Sequence, residues 1–435
     1  MPSAADLHPA RGARLVAVLG AGYVGLTTAA GFAHAGHRVR VGEPDPARLA
    51  ALQSGEVPIA EPGLAALVAA GVAAGRLTFH GDNAGAVAGV DAVFVAVPTP
   101  EGEGGAVDLS FVLAALQSIA PVVAPPTPVV IKSSVPPGTA ARLGAALRDL
   151  GCAAPLVVNP EFLQEGRAVE DVLHPYRVVV GSDDPRAAAL VAELHAPLGA
   201  PVVVTGAASA ELAKYANNAY LATRLTFVNS LAHLAEAVGA DVGDVLRSLA
   251  LDPRVGPHYL RPGPGYGGSC FPKDVRALVA AAAEHGHDLK LLRAVVETNE
   301  DQLDRVVAKV RAAAGGLDGK VVGLLGLAFK GGTADTRSSP AVALAVRLAA
   351  AGARVQAYDP AARVDLPGVE VVPDAVAAAA GADVLLVATE WPEFAALDPA
   401  ALAAVMRGRV VVDARNLLDR EAVAAAGLDY RGLGR

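Results

Sequence analysis

The chain has 435 residues, of which 53% are apolar and 18% charged, with a formal charge of −8. At about 100–200 residues per domain, that length implies two or three domains. No run of about 18 apolar residues escapes an interrupting Pro, Gly, Arg or Asp, which argues against a membrane span. The acidic balance, with no basic tract, argues against a nucleic-acid partner.

Residues Met1 to Arg14 are polar and Ala/Pro-rich, without the apolar core of a signal peptide, and read as a disordered tail on a cytoplasmic protein. Residues Leu15 to Leu19 form a short apolar run, followed by Gly20-Ala21-Gly22-Tyr23-Val24-Gly25 and an Ala-rich amphipathic segment. Strand, G-x-G-x-x-G and helix in that order predict a dinucleotide-binding turn, in which the glycines allow close approach of the backbone to a pyrophosphate. The next strand, Arg38 to Gly42, ends in Glu43, where a carboxylate can hold ribose hydroxyls and repel a 2′-phosphate, so NAD is expected over NADP. Arg48, five residues on, blurs that preference.

Alternation continues through Ala92–Val97, ending at Thr99, and through Pro128–Ile131, which leads into Lys132-Ser133-Ser134. Ligands gather at strand ends in such sheets, so Thr99 and Ser134 are cofactor-side candidates, or ordinary caps. Leu156–Val158 exits into Asn159-Pro160-Glu161-Phe162-Leu163-Gln164-Glu165-Gly166, whose carboxylates suit acid/base or positioning work, or a solvated turn. After Val202–Thr205 a helix without Gly or Pro runs from Ala208 to about Val238 and carries Lys214 and Asn218 on one face. That length suggests a spine between domains. Further helices reach about Ala314 and enclose a Pro/Gly-rich loop, Asp252 to Ser269.

That loop delivers Gly267-Gly268-Ser269-Cys270-Phe271-Pro272-Lys273-Asp274, with one of only two cysteines in the chain. A cysteine at a helix start, three residues before a lysine, lies where amide dipoles and a cation favour thiolate; the alternative is an apolar filler in a tight turn. The other cysteine, Cys152, has a different context, so neither a disulfide framework nor a metal site is expected. Strand–helix alternation restarts at Lys320–Gly326 and continues through Arg354–Tyr358, Val384–Ala388 and Val410–Val412. This second, smaller doubly wound unit lacks a glycine fingerprint and suits a nucleotide other than the dinucleotide. Lys330, Arg337 and Arg415 are its candidate anion or base contacts, or surface cations. Lysine is scarce, seven residues against twenty-nine arginines, so Lys132, Lys214, Lys273 and Lys330 inside motifs carry extra information. The fold class is therefore α/β, with two Rossmann-like doubly wound domains joined by a long central helix and a helical middle domain. The expected divisions are a tail at 1–14, an NAD-binding domain at 15–206, a helical domain at 207–315 and a nucleotide-binding domain at 316–435.

Together these motifs, with Glu61-Pro62-Gly63-Leu64, Phe329-Lys330 and Asp335-Thr336-Arg337, resemble the nucleotide-sugar 6-dehydrogenases of the UDP-glucose/GDP-mannose dehydrogenase family, from Leu15 to about Asp419. The resemblance implies four-electron oxidation of a primary alcohol to a carboxylate with two NAD and no metal. The Gly-Gly-Ser-Cys-Phe-Pro-Lys-Asp run resembles the UDP-glucose branch, with GDP-mannose or another nucleotide sugar as the alternative. It further implies Cys270 as nucleophile, Asp274 near the hydrolytic water, Lys214 and Asn218 at the oxyanions, Glu161 as another acid/base and Ser134 as a water-positioning hydroxyl. Gly20, Gly22, Tyr23, Val24, Gly25, Glu43, Arg48, Thr99, Ser134, Glu165, Lys273 and Arg337 fall on the cofactor side. Glu161, Phe162, Leu163, Gln164, Glu165, Lys214, Asn218, Tyr259, Leu260, Arg261, Pro262, Gly263, Gly267, Lys330 and Arg415 fall on the nucleotide-sugar side. Arg254 matches an arginine donated to a neighbouring subunit, which implies a homodimer built on the long helix. Ser134, Glu43 and Ala414 stand where the family more often has Thr, Asp and Gly. A two-electron hydroxyacid dehydrogenase or a non-catalytic NAD-responsive protein would have no use for a polarised Cys270.

Overall fold

The computed structural model describes residues 12–435, so most of the expected tail, residues 1–11, lies outside the described residues. The chain forms two compact units, one ending at Ala216 and one beginning at Asn217. The long helix Ala207–Val238 contains that boundary.

In the first unit, strands β1 (Leu15–Leu19), β2 (Arg38–Gly42), β3 (Leu77–His80), β4 (Ala92–Val95), β5 (Val129–Ile131), β6 (Leu156–Val158), β7 (Val178–Gly181) and β8 (Val202–Thr205) form one sheet. Its order is β3-β2-β1-β4-β5-β6-β7-β8. All neighbours are parallel except β6 and β7, which meet at the single antiparallel pair Val158–Gly181. Strands such as Ala92–Val95 are buried along their whole length, as a parallel sheet covered by helices on both faces requires. One apolar layer is built on Val16, Val18, Leu26, Phe32 and Phe94, and the other on Ala17, Leu19, Leu116 and Ile131. Consecutive residues of β1 thus serve opposite faces.

The second unit contains β9 (Val321–Leu325), β10 (Arg354–Tyr358), β11 (Val369–Val371), β12 (Val384–Val387), β13 (Val410–Asp413) and β14 (Asp429–Gly432). They form a six-stranded parallel sheet in the order β11-β10-β9-β12-β13-β14. Both sheets place their first strand beside their fourth, so strand order reverses at β1/β4 and at β9/β12. Doubly wound folds bind ligands at the carboxyl ends of the strands beside such a reversal. The strand bounds match expectation within about two residues, while β3, β7, β11 and β14 are additional. Among the described residues no helix is long and apolar enough to cross a membrane.

Candidate active site

At the first reversal, sequence and geometry agree on why the turn after β1 is glycine-rich. Gly20 has φ +94°, and a Cβ there would lie 2.8 Å from Ala96 O; a Cβ on Gly25 would lie 1.9 Å from Gly20 O. Gly22 faces open space, so the protein backbone there can be approached closely by a pyrophosphate. Glu43, at the end of β2, is buried; its Oε2 accepts from Ala21 N at 3.0 Å and its Oε1 from Asp45 N at 2.9 Å. Each carboxylate oxygen retains acceptor capacity for a ribose hydroxyl. Arg48 Nη1 stands 3.5 Å from Glu43 Oε2. This cradle fits the adenosine diphosphate end of a dinucleotide. Thr99 is half-buried in the loop after β4. Ser134 is half-buried after β5, and its carbonyl accepts from Tyr215 Oη at 3.4 Å.

Beside this cradle lies a cluster of buried charges. Lys214 Nζ donates to Glu161 Oε1 at 2.8 Å, and Glu161 Oε2 accepts from Leu163 N at 2.5 Å. Burial pushes the Glu161 carboxyl up, but Lys214, the Leu163 amide and Lys132 together hold it below the usual carboxylate value. Phe162 packs under cations, with Arg177 Cζ 3.6 Å and Lys214 Nζ 5.6 Å from its ring centre. Gln164 N donates to Asp171 Oδ2 at 2.9 Å. Tyr23 Oη donates to Glu61 Oε2, which also accepts from Gly166 N at 2.7 Å, while Glu61 Oε1 accepts from Ala168 N at 2.6 Å. One carboxylate from the Glu-Pro-Gly-Leu motif thereby ties the glycine turn to the Glu161–Gly166 loop, which includes Glu165.

In the second unit Cys270 precedes the helix Phe271–Glu284 and is partly exposed, with Ser269 Oγ 3.5 Å from its Sγ. Asp274, in the first turn, is buried; Asn218 Nδ2 donates to its Oδ2 and Lys273 Nζ to its Oδ1, both at 2.7 Å. The glycines before the cysteine are required by space: a Cβ on Gly267 would lie 2.3 Å from Ser338 O, and one on Gly268, at φ +84°, 2.8 Å from the Phe329 ring. The preceding loop is pinned by amides, with Gly263 N donating to Asn229 Oδ1, Gln302 Nε2 to Gly263 O and Tyr266 N to Asn299 Oδ1. Tyr259 holds a positive φ of 57° there; Leu260, Pro262 and Gly263 are buried, and Arg261 is exposed.

At the second reversal Arg415 donates to Ala388 O at 2.9 Å and Phe329 O at 3.1 Å, and its Nε lies 3.0 Å from Glu390. Lys330 Nζ stands 5.6 Å from the Phe329 ring centre. Asp359, which ends β10 as Glu43 ends β2, is fully buried and accepts from Leu327, Ala328, Ala361, Ala362 and Trp391. The acid that could hold a dinucleotide ribose in this sheet is thus consumed within the protein. Two predicted arginines lie apart at the surface of this unit: Arg254 pairs with Asp252, and Arg337 with Asp335.

The sequence singled out Lys132 without assigning it a partner. It is buried and donates to Asn159 Oδ1 at 3.0 Å, and burial and the nearby Lys214 lower its ammonium to about 8 despite Glu161. The roles of Glu61, Asn159, Arg177 and Asp359 were not anticipated, although Glu61 stands in the Glu-Pro-Gly-Leu motif; the scarcity of lysine singled out Lys132 together with Lys214, Lys273 and Lys330.

Comparison with known proteins agrees with this layout. Three models of the UDP-glucose/GDP-mannose dehydrogenase family match in series: the NAD binding domain at residues 14–199, the central domain at 208–301 and the UDP binding domain at 323–420. The chain is 45% identical to a UDP-glucose 6-dehydrogenase of Rhizobium meliloti, over 97% of this chain and 99% of the relative. It is 40% identical to UDP-glucose 6-dehydrogenase TuaD of Bacillus subtilis, over 97% and 93%. A solved UDP-glucose dehydrogenase from Pyrobaculum islandicum superposes with a TM-score of 0.91 at 37% identity, covering 97% of this chain and 98% of that one. The chain belongs to the UDP-glucose/GDP-mannose dehydrogenase family of NAD-dependent oxidoreductases.

Proposed function

We propose that this protein oxidises UDP-glucose to UDP-glucuronate in two successive steps at one site, through a covalent bond to Cys270. The observation that carries the reading is the placement of Cys270 at a helix start, one turn before an Asp274 held by Asn218 and Lys273. The similarity to UDP-glucose 6-dehydrogenases supports the choice of sugar.

NAD, when bound, would supply the acceptor for the hydride lost in each oxidation; Glu43, Arg48 and the Gly20–Gly25 turn would hold it, with Thr99, Ser134, Glu165, Lys273 and Arg337 as its further proposed contacts. The residues of the chain do the remainder. An alcohol can lose a hydride directly, whereas an aldehyde cannot until a nucleophile adds to its carbonyl. The Cys270 thiolate makes that C–S bond and gives a thiohemiacetal, whose oxidation leaves a thioester. Water aligned by Asp274 cleaves the C–S bond and returns the thiolate. The balance is one water consumed, with two hydrides and three protons released. Lys214 and Asn218 stabilise the alkoxide and the tetrahedral oxyanions, Glu161 sets the charge of Lys214, and Ser134 positions water. Phe162 to Glu165, Tyr259 to Gly263, Gly267, Lys330 and Arg415 enclose the nucleotide sugar.

The domains run 15–206, 207–315 and 316–435, the enzyme acts in the cytoplasm, and it works as a homodimer to which each subunit contributes Arg254. Supporting the dimer, Tyr220, Phe227 and Leu234 recur every seventh residue on the long helix with 60%, 54% and 58% of their surface exposed. The test is NADH formation by the purified chain with UDP-glucose, GDP-mannose and UDP-N-acetylmannosamine in parallel. Turnover with UDP-glucose alone is expected; preference for either of the others overturns the assignment of the sugar.

A further inference from the structure

We propose that Lys132 is a positioning residue for this reaction: beside the cavity it shares with Glu161 it supplies the surplus positive charge that keeps the Glu161–Lys214 pair set to receive an oxyanion. The proposal rests on the role given above to Lys214. Lys132 directly follows β5, is buried, and makes no ion pair among the described residues; its hydrogen-bond acceptor is the neutral amide of Asn159, which itself donates to Val179 O at 2.7 Å. A buried ammonium without a carboxylate in contact is costly to keep. A purely structural position would be filled more cheaply by an apolar side chain.

Two features make the charge tenable. A cavity of about 60 Å³ lies against Lys132, Asn159 and Glu161 and reaches the exposed Tyr176. At about 10–15 Å³ each, it has room for about four waters to solvate the remaining ammonium protons. Thr28, whose buried hydroxyl has no hydrogen-bond partner among the described residues, lines the same cavity. The second feature is Glu161, whose field acts on Lys132 and is acted on by it. The other titratable groups around the cavity are Asp171, Arg177, Tyr176 and His195. His195 Nδ1 donates to Val191 O, and burial pushes the imidazole down to about 3, so it adds no charge at neutral pH.

The electrostatic consequence concerns the cluster as a whole. Lys214 and Glu161 alone cancel, so an oxyanion forming at Lys214 would leave a net negative charge in a low-dielectric site. With Lys132 present, the resting cluster is positive and the oxyanion neutralises it, which favours the transition state over the ground state.

Lys132→Met removes the charge at similar volume. The expected result with UDP-glucose is a kcat lower by about 10- to 100-fold, less than the loss of a donor that touches the oxyanion. The KM for NAD should hold, and the acid limb of the kcat–pH profile should move up by about one unit, because Glu161 loses a cation that favours its ionised form. Lys132→Arg, which keeps the charge, should recover most of kcat and the wild-type limb. Wild-type behaviour of Lys132→Met, or equal losses in both variants with an unmoved acid limb, would overturn the proposal. If Lys132→Met does not fold, Asn159→Asp sets a carboxylate against the ammonium and cancels its charge in place. An unmoved limb there has the same meaning. An inactive wild type would instead refute the parent reading, so the two failures are separable.

Discussion

Lys214 and Glu161 form an ion pair at 2.8 Å with 4% and 7% of their side chains exposed. Removing either partner leaves the other charge buried without this ion pair, at a cost of about 3–5 kcal/mol. Lys214→Ala and Glu161→Ala should each lower the thermal midpoint markedly, and the double variant should lose much less than the sum. Additive losses in a double-mutant cycle would mean the two charges do not depend on each other.

Glu211 makes a second buried carboxylate informative. Its oxygens accept from Gly138 N at 2.7 Å and Ala140 N at 2.6 Å, capping the helix Thr139–Asp149 that follows the Lys132–Ser134 loop. Burial pushes its carboxyl up from 4.5 to about 7, against the pull of those amides. A group whose folded value is raised binds more protons when folded, so its contribution favours the fold at low pH and is lost as pH rises from about 4.5 to about 7. Glu211→Gln should flatten the thermal midpoint across that window, and an unchanged pH dependence would exclude Glu211 as its source.

The fingerprint was legible because its glycines answer to local geometry: Gly20 and Gly25 are excluded from bearing a Cβ by atoms of their own turn and the adjacent strand. Strands β1, β2, β6, β8 and β10 were legible from short apolar runs. β11 (Val-Glu-Val) and β14 (Asp-Tyr-Arg-Gly) were not, since charged residues break the apolar run in each and only pairing defines them. The site's partners were hidden for the same reason. Glu61 meets Tyr23 across 38 positions, and Lys132 meets Asn159 across 27. Arg177 reaches Phe162 only because β7 turns back antiparallel beside β6.

Asp274 is held by two donors at 2.7 Å, Asn218 and Lys273, so its carboxylate is oriented before substrate arrives. Asp274→Asn keeps the shape but loses the anionic carboxylate proposed to activate water for thioester hydrolysis, a contribution of about 10²–10⁴ in rate. Intact-mass analysis after brief exposure to UDP-glucose and NAD should then show the acyl-enzyme accumulating on Cys270. An unmodified Asp274→Asn protein with normal turnover would remove Asp274 from that step.

Association should depend on the exposed apolar stripe of the long helix. Phe227→Glu places a charge among Tyr220, Leu234 and their counterparts, and sedimentation should report a monomer for this variant and the proposed dimer for the wild type. A Phe227→Glu protein that sediments as the wild type does would move the interface elsewhere.

The most direct test of the covalent mechanism counts electrons. A limiting amount of UDP-glucose is oxidised to completion with excess NAD, and the NADH formed is read by absorbance for the wild type and Cys270→Ser. About two NADH per sugar for the wild type, and no more than one for Cys270→Ser, is the predicted result, since the aldehyde needs a nucleophile before it can lose a second hydride. One NADH per sugar from the wild type, or two from Cys270→Ser, would contradict it.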